Sequence, residues 1–433
     1  SSLSDVTTLN TLDGNTTGTV NAASVTTITG TLAQLLKAYG SNGITGLGDE
    51  NLVVSDTSSI SATDLNSLDS KTSGTITTHT DLTTLTGTLA TLNAAYAAGI
   101  DVLGNEAIVL TDSAVDAEDL NILNHYTTGN IDASSITTLT GSVSDLNTAF
   151  AAISASNNGI NFGGASGAAT QAVEITDTNV LAADLNTLNT YTSGTVDAST
   201  VAVMEGTVSA LNTAYDTAGI NGLGNEAVTI TDTTAQVADL VTLDGNTSGV
   251  IDASAAHTLN GTVANANLVY GSNEFTGLGT EAVTLTDTSL GDVADLNTLN
   301  GYTTGNVDAS TINTLTGTIS ALNIAYAASS ALGNGISGLG NEALIVSDTG
   351  TITDVAALTT LNGNTTLAVN ADAVAGFNAS ISDLNTMYAG AVSSGNGITD
   401  IGDKNVTITD TTVSDASTLN TLNGYTSGVI TAD

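Results

Sequence analysis

Apolar residues alternate with Thr and Asp over Val228-Thr229-Ile230-Thr231-Asp232-Thr233, a period of two with β-branched enrichment that predicts a strand. Just beyond it Val237, Leu240 and Leu243 fall three apart, which predicts about two helical turns ended by Asp244-Gly245. Val250 to Ser254 then predicts a short strand after a Thr-Ser-Gly turn. In a second version of the pattern, Thr314 to Thr318 predicts a strand that leads into a short helix over Ile319 to Tyr326. The Gly-rich phrase at Gly222 to Ala227, GLGNEA, predicts the turn that returns the chain to the next alternating run.

This pattern recurs from end to end, and recurrence decides the architecture before any single motif does. The first Leu of each LNTL-like segment is Leu9, Leu65, Leu120, Leu185, Leu240, Leu296, Leu358 and Leu419. By subtraction the spacings are 56, 55, 65, 55, 56, 62 and 61, a period of about 55 residues with three insertions. An aromatic ladder (Tyr39, Tyr96, Phe150, Tyr215, Tyr270, Tyr326, Tyr388) keeps the same step. The insertions, Ser154 to Thr170, Ala328 to Gly335 and Gly390 to Gly397, follow the aromatic-ending helix and are expected to be loops. The expected organisation is one continuous solenoid over 1–433, with repeats at about 3–60, 61–115, 116–180, 181–235, 236–290, 291–351 and 352–413 and a partial one at 414–433. Each repeat reads as a duplicated strand-and-helix unit. Parallel strands need a crossover, which short helices supply, so the fold class expected is a repeat protein, a parallel β-solenoid with short helices in each repeat.

Composition narrows the function more than the fold. The 433 residues contain no Pro, Cys or Trp, only 4 Phe and 10 Tyr, and a uniform Thr/Asn/Asp/Gly/Ala/Leu mixture, so the core must be built from small aliphatic side chains. A hydrophobic share of 41% rejects disorder despite a net charge of −40. With 43 acidic residues against 3 Lys and no Arg, the chain has no cationic surface for phosphate backbones, which excludes nucleic acid and disfavours anionic lipid. Thiol catalysis and Cys-based zinc sites are ruled out, and no apolar run reaches the roughly 20 residues of a membrane span. The opening SSLSDVTTLN is not a signal peptide, so a mature form or a piece of something longer is expected. Neither terminus reads as a polar cap, and flanking repeats or end-to-end stacking of subunits are the expected remedies.

The recurring polar positions are the candidates for chemistry. The TDT aspartates Asp56, Asp112, Asp177, Asp232, Asp287, Asp348 and Asp410 occur in every copy. Their nearest carboxylate in sequence, Glu50, Glu106, Glu226, Glu281 and Glu342, becomes Gln171 in one repeat and Lys404 in another, so a calcium site in every repeat is disfavoured. The Asp is instead expected to cap N–H groups of its own turn or of the helix that follows. The VDAS position reads Asn21, Thr77, Asp132, Asp197, Asp252, Asp308, Asn370 and Thr431; these share a hydrogen-bonding oxygen but not a charge, which fits a polar ladder or turn cap. The TGT glycines Gly30, Gly87, Gly141, Gly206, Gly261 and Gly317 point to special backbone geometry or close approach, with Ala379 as the exception. His79, His125 and His257 are unphased and read as surface or packing residues. GLGNEA lacks a following GK[ST] and is a turn, not a nucleotide loop. No catalytic, cofactor-binding or metal-binding residues are assigned; no cofactor is required, and the charge leaves room for calcium held nonspecifically or between subunits.

The phrases DLNTLNGYTTGNVDASTINTLTGT at Asp295 to Thr318 and AVTITDT at Ala227 to Thr233 resemble the tandem β-strand repeats of very large, acidic, Cys-free bacterial surface proteins, often marine or cyanobacterial. The resemblance covers essentially the whole chain. It implies an extracellular adhesin, surface-layer or matrix-filament role with calcium in the surroundings, and supplies no catalytic residues. The function expected is a secreted structural protein, a rigid extracellular filament or a surface-layer or adhesin stalk, that stacks end to end or laterally as a homo-oligomer. The alternative is a binding module whose inserted loops hold a glycan, a cell surface or a partner. Thr surfaces interrupted by Asp, Gly and helices argue against ice binding, and the lack of Arg and of a carboxylate cluster argues against a polysaccharide lyase or any other enzyme.

Overall fold

The structure is a computed structural model that describes residues 2–3, 5–153, 159–163, 169–329, 334–391 and 396–432. It is a repeat fold of the parallel β-solenoid type, in which short parallel strands alternate with short helices. The chain divides into two compact units, residues 1–204 with 213–224, and residues 205–212 with 225–433.

In the first unit a five-stranded sheet runs in the order Ala114–Asp116, Thr138–Gly141, Ala172–Ile175, Val196–Asp197 and Ile220–Asn221, every pair parallel. The second unit repeats the design with Thr234–Gln236, Thr258–Gly261, Ala282–Leu285, Val307–Asp308 and Ile336–Ser337. Register keeps apolar side chains in line and inward: Leu259 opposes Val283, and Val283 opposes Val307, each at most 1% exposed. The outward positions of the same strands carry Thr, Asp, Asn and Ala, which is the period-two pattern of the sequence.

Two spacings compete in this fold. Paired strands in the second unit are 24 residues apart at Thr234↔Thr258, Thr258↔Ala282 and Val283↔Val307, whereas half of a 55-residue repeat is longer than that. Strand starts at 234, 258, 282, 307 and 336 therefore lie 3, 5, 11, 12 and 19 residues ahead of the helix starts at 237, 263, 293, 319 and 355. The sheet slides back from the helices until its pairing ends, and a new sheet begins at Ser289–Leu290, directly before the helix at 293. This slippage explains elements that periodicity did not anticipate: a three-residue strand before one class of helix, as at Thr234–Gln236, and a two-residue strand after the other, as at Ile220–Asn221. Both are too short for alternation to register.

Helices are nine to eleven residues over most of the chain, and each interior one buries a three-residue-spaced stripe such as Ala182, Leu185 and Leu188. The helix expected to end at Asp244-Gly245 continues through them to Asn246. Gly245 lies in the open, with nothing within 4 Å of where a Cβ would stand, so it neither clashes nor breaks the turn. Consecutive helices pack on one another and are laced by the Asn of the Leu-Asn dipeptide. In the first unit Asn66 Nδ2 donates to Thr91 O at 2.8 Å, Asn93 to Asp119 O at 3.0 Å and Asn121 to Asp145 O at 3.0 Å. In the second, Asn297 donates to Ala321 O at 2.9 Å and Asn323 to Ala357 O at 3.0 Å.

The insertions are only partly loops. Ile160–Asn161 is the regular two-residue strand, paired with Ile131–Asp132, so the extra residues of Ser154 to Thr170 flank it at 154–158 and 164–168, outside the described residues. Likewise the helices Ile319–Ser329 and Ile381–Ala391 reach into the other two insertions, whose remainders at 330–333 and 392–395 are also outside them.

Candidate functional site

The TDT aspartates do not cap the helix that follows them. Asp112 Oδ2 accepts from Leu89 N at 2.7 Å, Asp177 from Val143 N at 2.7 Å, Asp232 from Val208 N at 2.7 Å and Asp287 from Val263 N at 2.8 Å. Each acceptor serves the first residue of the preceding helix, about 24 residues earlier where no insertion intervenes. The reason is the pairing step: the strand that carries the Asp lies beside the TGT strand leading into that earlier helix, so its turn meets the helix start of the neighbouring rung. A carboxylate there also faces the positive end of the helix dipole. The VDAS position is a local turn, with Asp132 Oδ1 accepting from Ser134 N at 3.0 Å and Asn370 Oδ1 from Asp372 N at 2.8 Å. Asp and Asn fill the same acceptor position, so a charge is not required there. The TGT glycine marks close approach: a Cβ on Gly30 would stand 2.4 Å from Val6 Cγ1, and one on Gly261 2.4 Å from Val237 Cγ2.

The GLGNEA glutamate, weighed in the sequence only as a second calcium carboxylate, is buried: Glu50, Glu106, Glu281 and Glu342 are at most 2% exposed. Each receives the hydroxyl of the aromatic ladder, Tyr39 OH to Glu50 Oε2 at 2.5 Å, Tyr270 OH to Glu281 Oε2 at 2.8 Å, Tyr326 OH to Glu342 Oε2 at 2.6 Å, and Tyr96 OH to Glu106 Oε1. Backbone donors add to the carboxylate: Gly340 N lies 2.9 Å from both oxygens of Glu342, and Gly279 N lies 2.8 Å from Glu281 Oε2, whereas at Glu50 both donors meet Oε2 and Oε1 is left without one. The glutamate's own carbonyl takes the buried Thr that opens the next turn, as with Thr303 Oγ1 to Glu281 O at 2.7 Å and Thr365 Oγ1 to Glu342 O at 2.6 Å. A buried charge held without a counter-ion needs this density of donors.

Two repeats depart from the pattern, and both departures are compensated. Phe150 has no hydroxyl, and its partner is Gln171, which turns its amide to Ile136 O at 3.0 Å and Phe162 O at 3.1 Å. Lys404 directs its ammonium out to Asp372 O at 2.7 Å, and Tyr388 donates to Ile401 O at 3.2 Å instead. The signal was present in the sequence, because the one Phe of the aromatic ladder precedes the one Gln of the glutamate ladder.

Burial, followed by the bond to the carboxylate, raises the phenols of Tyr39, Tyr96, Tyr270 and Tyr326 well above their ordinary value. An unfolded chain loses these protons near pH 10, whereas the folded one retains them. The stabilisation is therefore complete below that pH and is lost as pH rises through the folded values. Melting temperature should fall progressively above about pH 10, together with late phenolate absorbance; a melting temperature constant from pH 9 to 11 would contradict this coupling.

Among the described residues no three His, Cys, Asp or Glu side chains gather as a metal site would require, and no helix is long and apolar enough to cross a membrane. His79 forms a local contact, its Nδ1 accepting from Asp81 N at 3.1 Å, and has no phased counterpart. The Glu and Thr positions are buried holding points between rungs, and the TDT aspartates are part-buried ones. No protein-family model matches this chain, and no curated protein matches it.

Proposed function

We propose that this chain is a secreted structural protein, a rigid stretch of an extracellular filament or of a surface-layer or adhesin stalk, and not an enzyme. The observation that carries the reading is the use of the recurring polar side chains. Asp caps a neighbouring rung's helix, Asn laces helix to helix, and Tyr, Glu and Thr join turn to turn. Recurring once per repeat for Asp and for the Tyr, Glu and Thr set, and once per helix for Asn, such bonds favour a stiff scaffold over a catalytic centre, which would need one unlike place. The uniform acidic composition and the resemblance to bacterial surface repeats support an extracellular setting, and stacking of copies end to end or laterally would extend the scaffold. Calcium would act by screening a net charge of −40 between copies. Electron microscopy of the purified protein with and without calcium tests the proposal. Filaments or lattices are expected, and compact monodisperse particles at high concentration under both conditions would reject it.

A further inference from the structure

One rung of the second unit is unlike the rest. From the TDT aspartate to the first residue of the following helix, the chain takes seven steps at Asp348 to Val355, against five at Asp232 to Val237 and six at Asp287 to Val293. The longer connection holds Ile352 less tightly. Its counterparts Ile60, Val115, Val180, Ala235 and Leu290 are 4 to 8% exposed, whereas Ile352 is only half-buried; in the last repeat the counterpart Val413 is 39% exposed. Beside it the helix Ile319–Ser329 presents Ile324, which is 56% exposed. Between them opens a groove of about 570 Å³. Its apolar lining is Ile319, Ile324, Ala327 and Ile352, and two carboxylates, Asp348 and Asp354, stand in its wall. One oxygen of each is already used, Asp348 Oδ2 by Ile319 N at 2.8 Å and Asp354 Oδ1 by Ala357 N at 3.0 Å.

We propose that this groove is a docking site for an extended peptide segment of a partner protein that carries aliphatic side chains next to Lys or Arg. The apolar floor accepts an isoleucine-sized side chain, and the second oxygens of the two carboxylates select a cation beside it. The chain's own 3 Lys and absent Arg make a basic partner the complementary one, since a second copy would bring mainly like charge. The site goes beyond the scaffold reading, because it occurs in one rung and would attach something to the scaffold without helping to build it.

The test is fluorescence anisotropy of the full chain with a labelled hexapeptide of alternating lysine and isoleucine, in about 0.15 M salt, where the Debye length is about 8 Å. Ile324→Ser and Ile352→Ser should each weaken binding about tenfold, the equivalent of one buried aliphatic side chain. Leu268→Ser, at a 60% exposed position on the helix Val263–Gly271, should leave it within about twofold and controls for diffuse attraction to an acidic surface. A lysine-serine peptide and a glutamate-isoleucine peptide should both fail. Equal binding to all three variants would overturn the site, and so would a shift in the free protein's sedimentation on Ile324→Ser, which would make a second copy the occupant. Ile324 is largely exposed, so its loss should spare the helical circular dichroism that verifies folding.

Discussion

Tyr96→Phe is expected to destabilise its unit by about 2 kcal/mol, and adding Glu106→Gln is expected to restore most of that loss. The single change removes the hydroxyl bonded to a carboxylate that is 2% exposed and leaves only the N–H groups of Gly104 and Asn105 to hold the charge. An unsatisfied buried charged acceptor costs more than the net worth of one neutral hydrogen bond. Glu106→Gln alone should also destabilise, by about 1 kcal/mol, because the amide offers Tyr96 a weaker acceptor. The double variant recreates the pair this chain already holds at Phe150 and Gln171, where the amide finds two carbonyls. Denaturant unfolding of the four proteins would give a coupling of about 2 to 3 kcal/mol. Strict additivity would show that hydroxyl and carboxylate act independently, against the geometry.

The same pair shows what the sequence made legible. Repeat length, strand and helix classes and the parallel stacking follow from periodicity, because burial acts on each rung alike: Leu185 and Leu240 occupy equivalent positions, and both are fully buried. What could not be followed was direction in space. The sequence around Asp232 predicts that it serves its own turn or the helix at Val237, yet it bonds Val208 N, because the partner depends on a pairing step of 24 residues that no single repeat displays. Burial of Glu281 has no signal in its own repeat, because Glu is seldom buried and its coupling to Tyr270 is what makes burial tolerable. Matching the exceptional copies of the two ladders, Phe150 with Gln171, would have placed it. The Asn ladder went unread because Asn297 looks like any polar residue next to Leu296, and its role appears only when Ala321 of the next helix lies alongside.

Gly338→Ala is expected to be among the most damaging single-methyl additions in the chain, with a loss of about 3 kcal/mol. Gly338 has φ +85°, and an added Cβ would stand 2.6 Å from both N and Cα of Ser310, backbone atoms that cannot turn aside. Gly46, Gly222 and Gly277 have φ between +80° and +90° and similar clashes, so the position is where one rung's turn presses on the main chain of its neighbour. Two copies break the rule, Val102 at φ +74° and Asp400 at φ +64°. A β-branched residue in that region carries a strain of about 1 to 2 kcal/mol, and Val102 is 44% exposed, so its side chain returns little by burial. Val102→Gly should therefore stabilise its unit by about 1 kcal/mol while removing three carbon atoms, the opposite sign to a core truncation. Denaturant midpoints of the two variants measured side by side decide the matter. If Gly338→Ala matches the parent, or Val102→Gly falls below it, backbone contact does not set the spacing of the rungs and the side-chain bonds must do so alone.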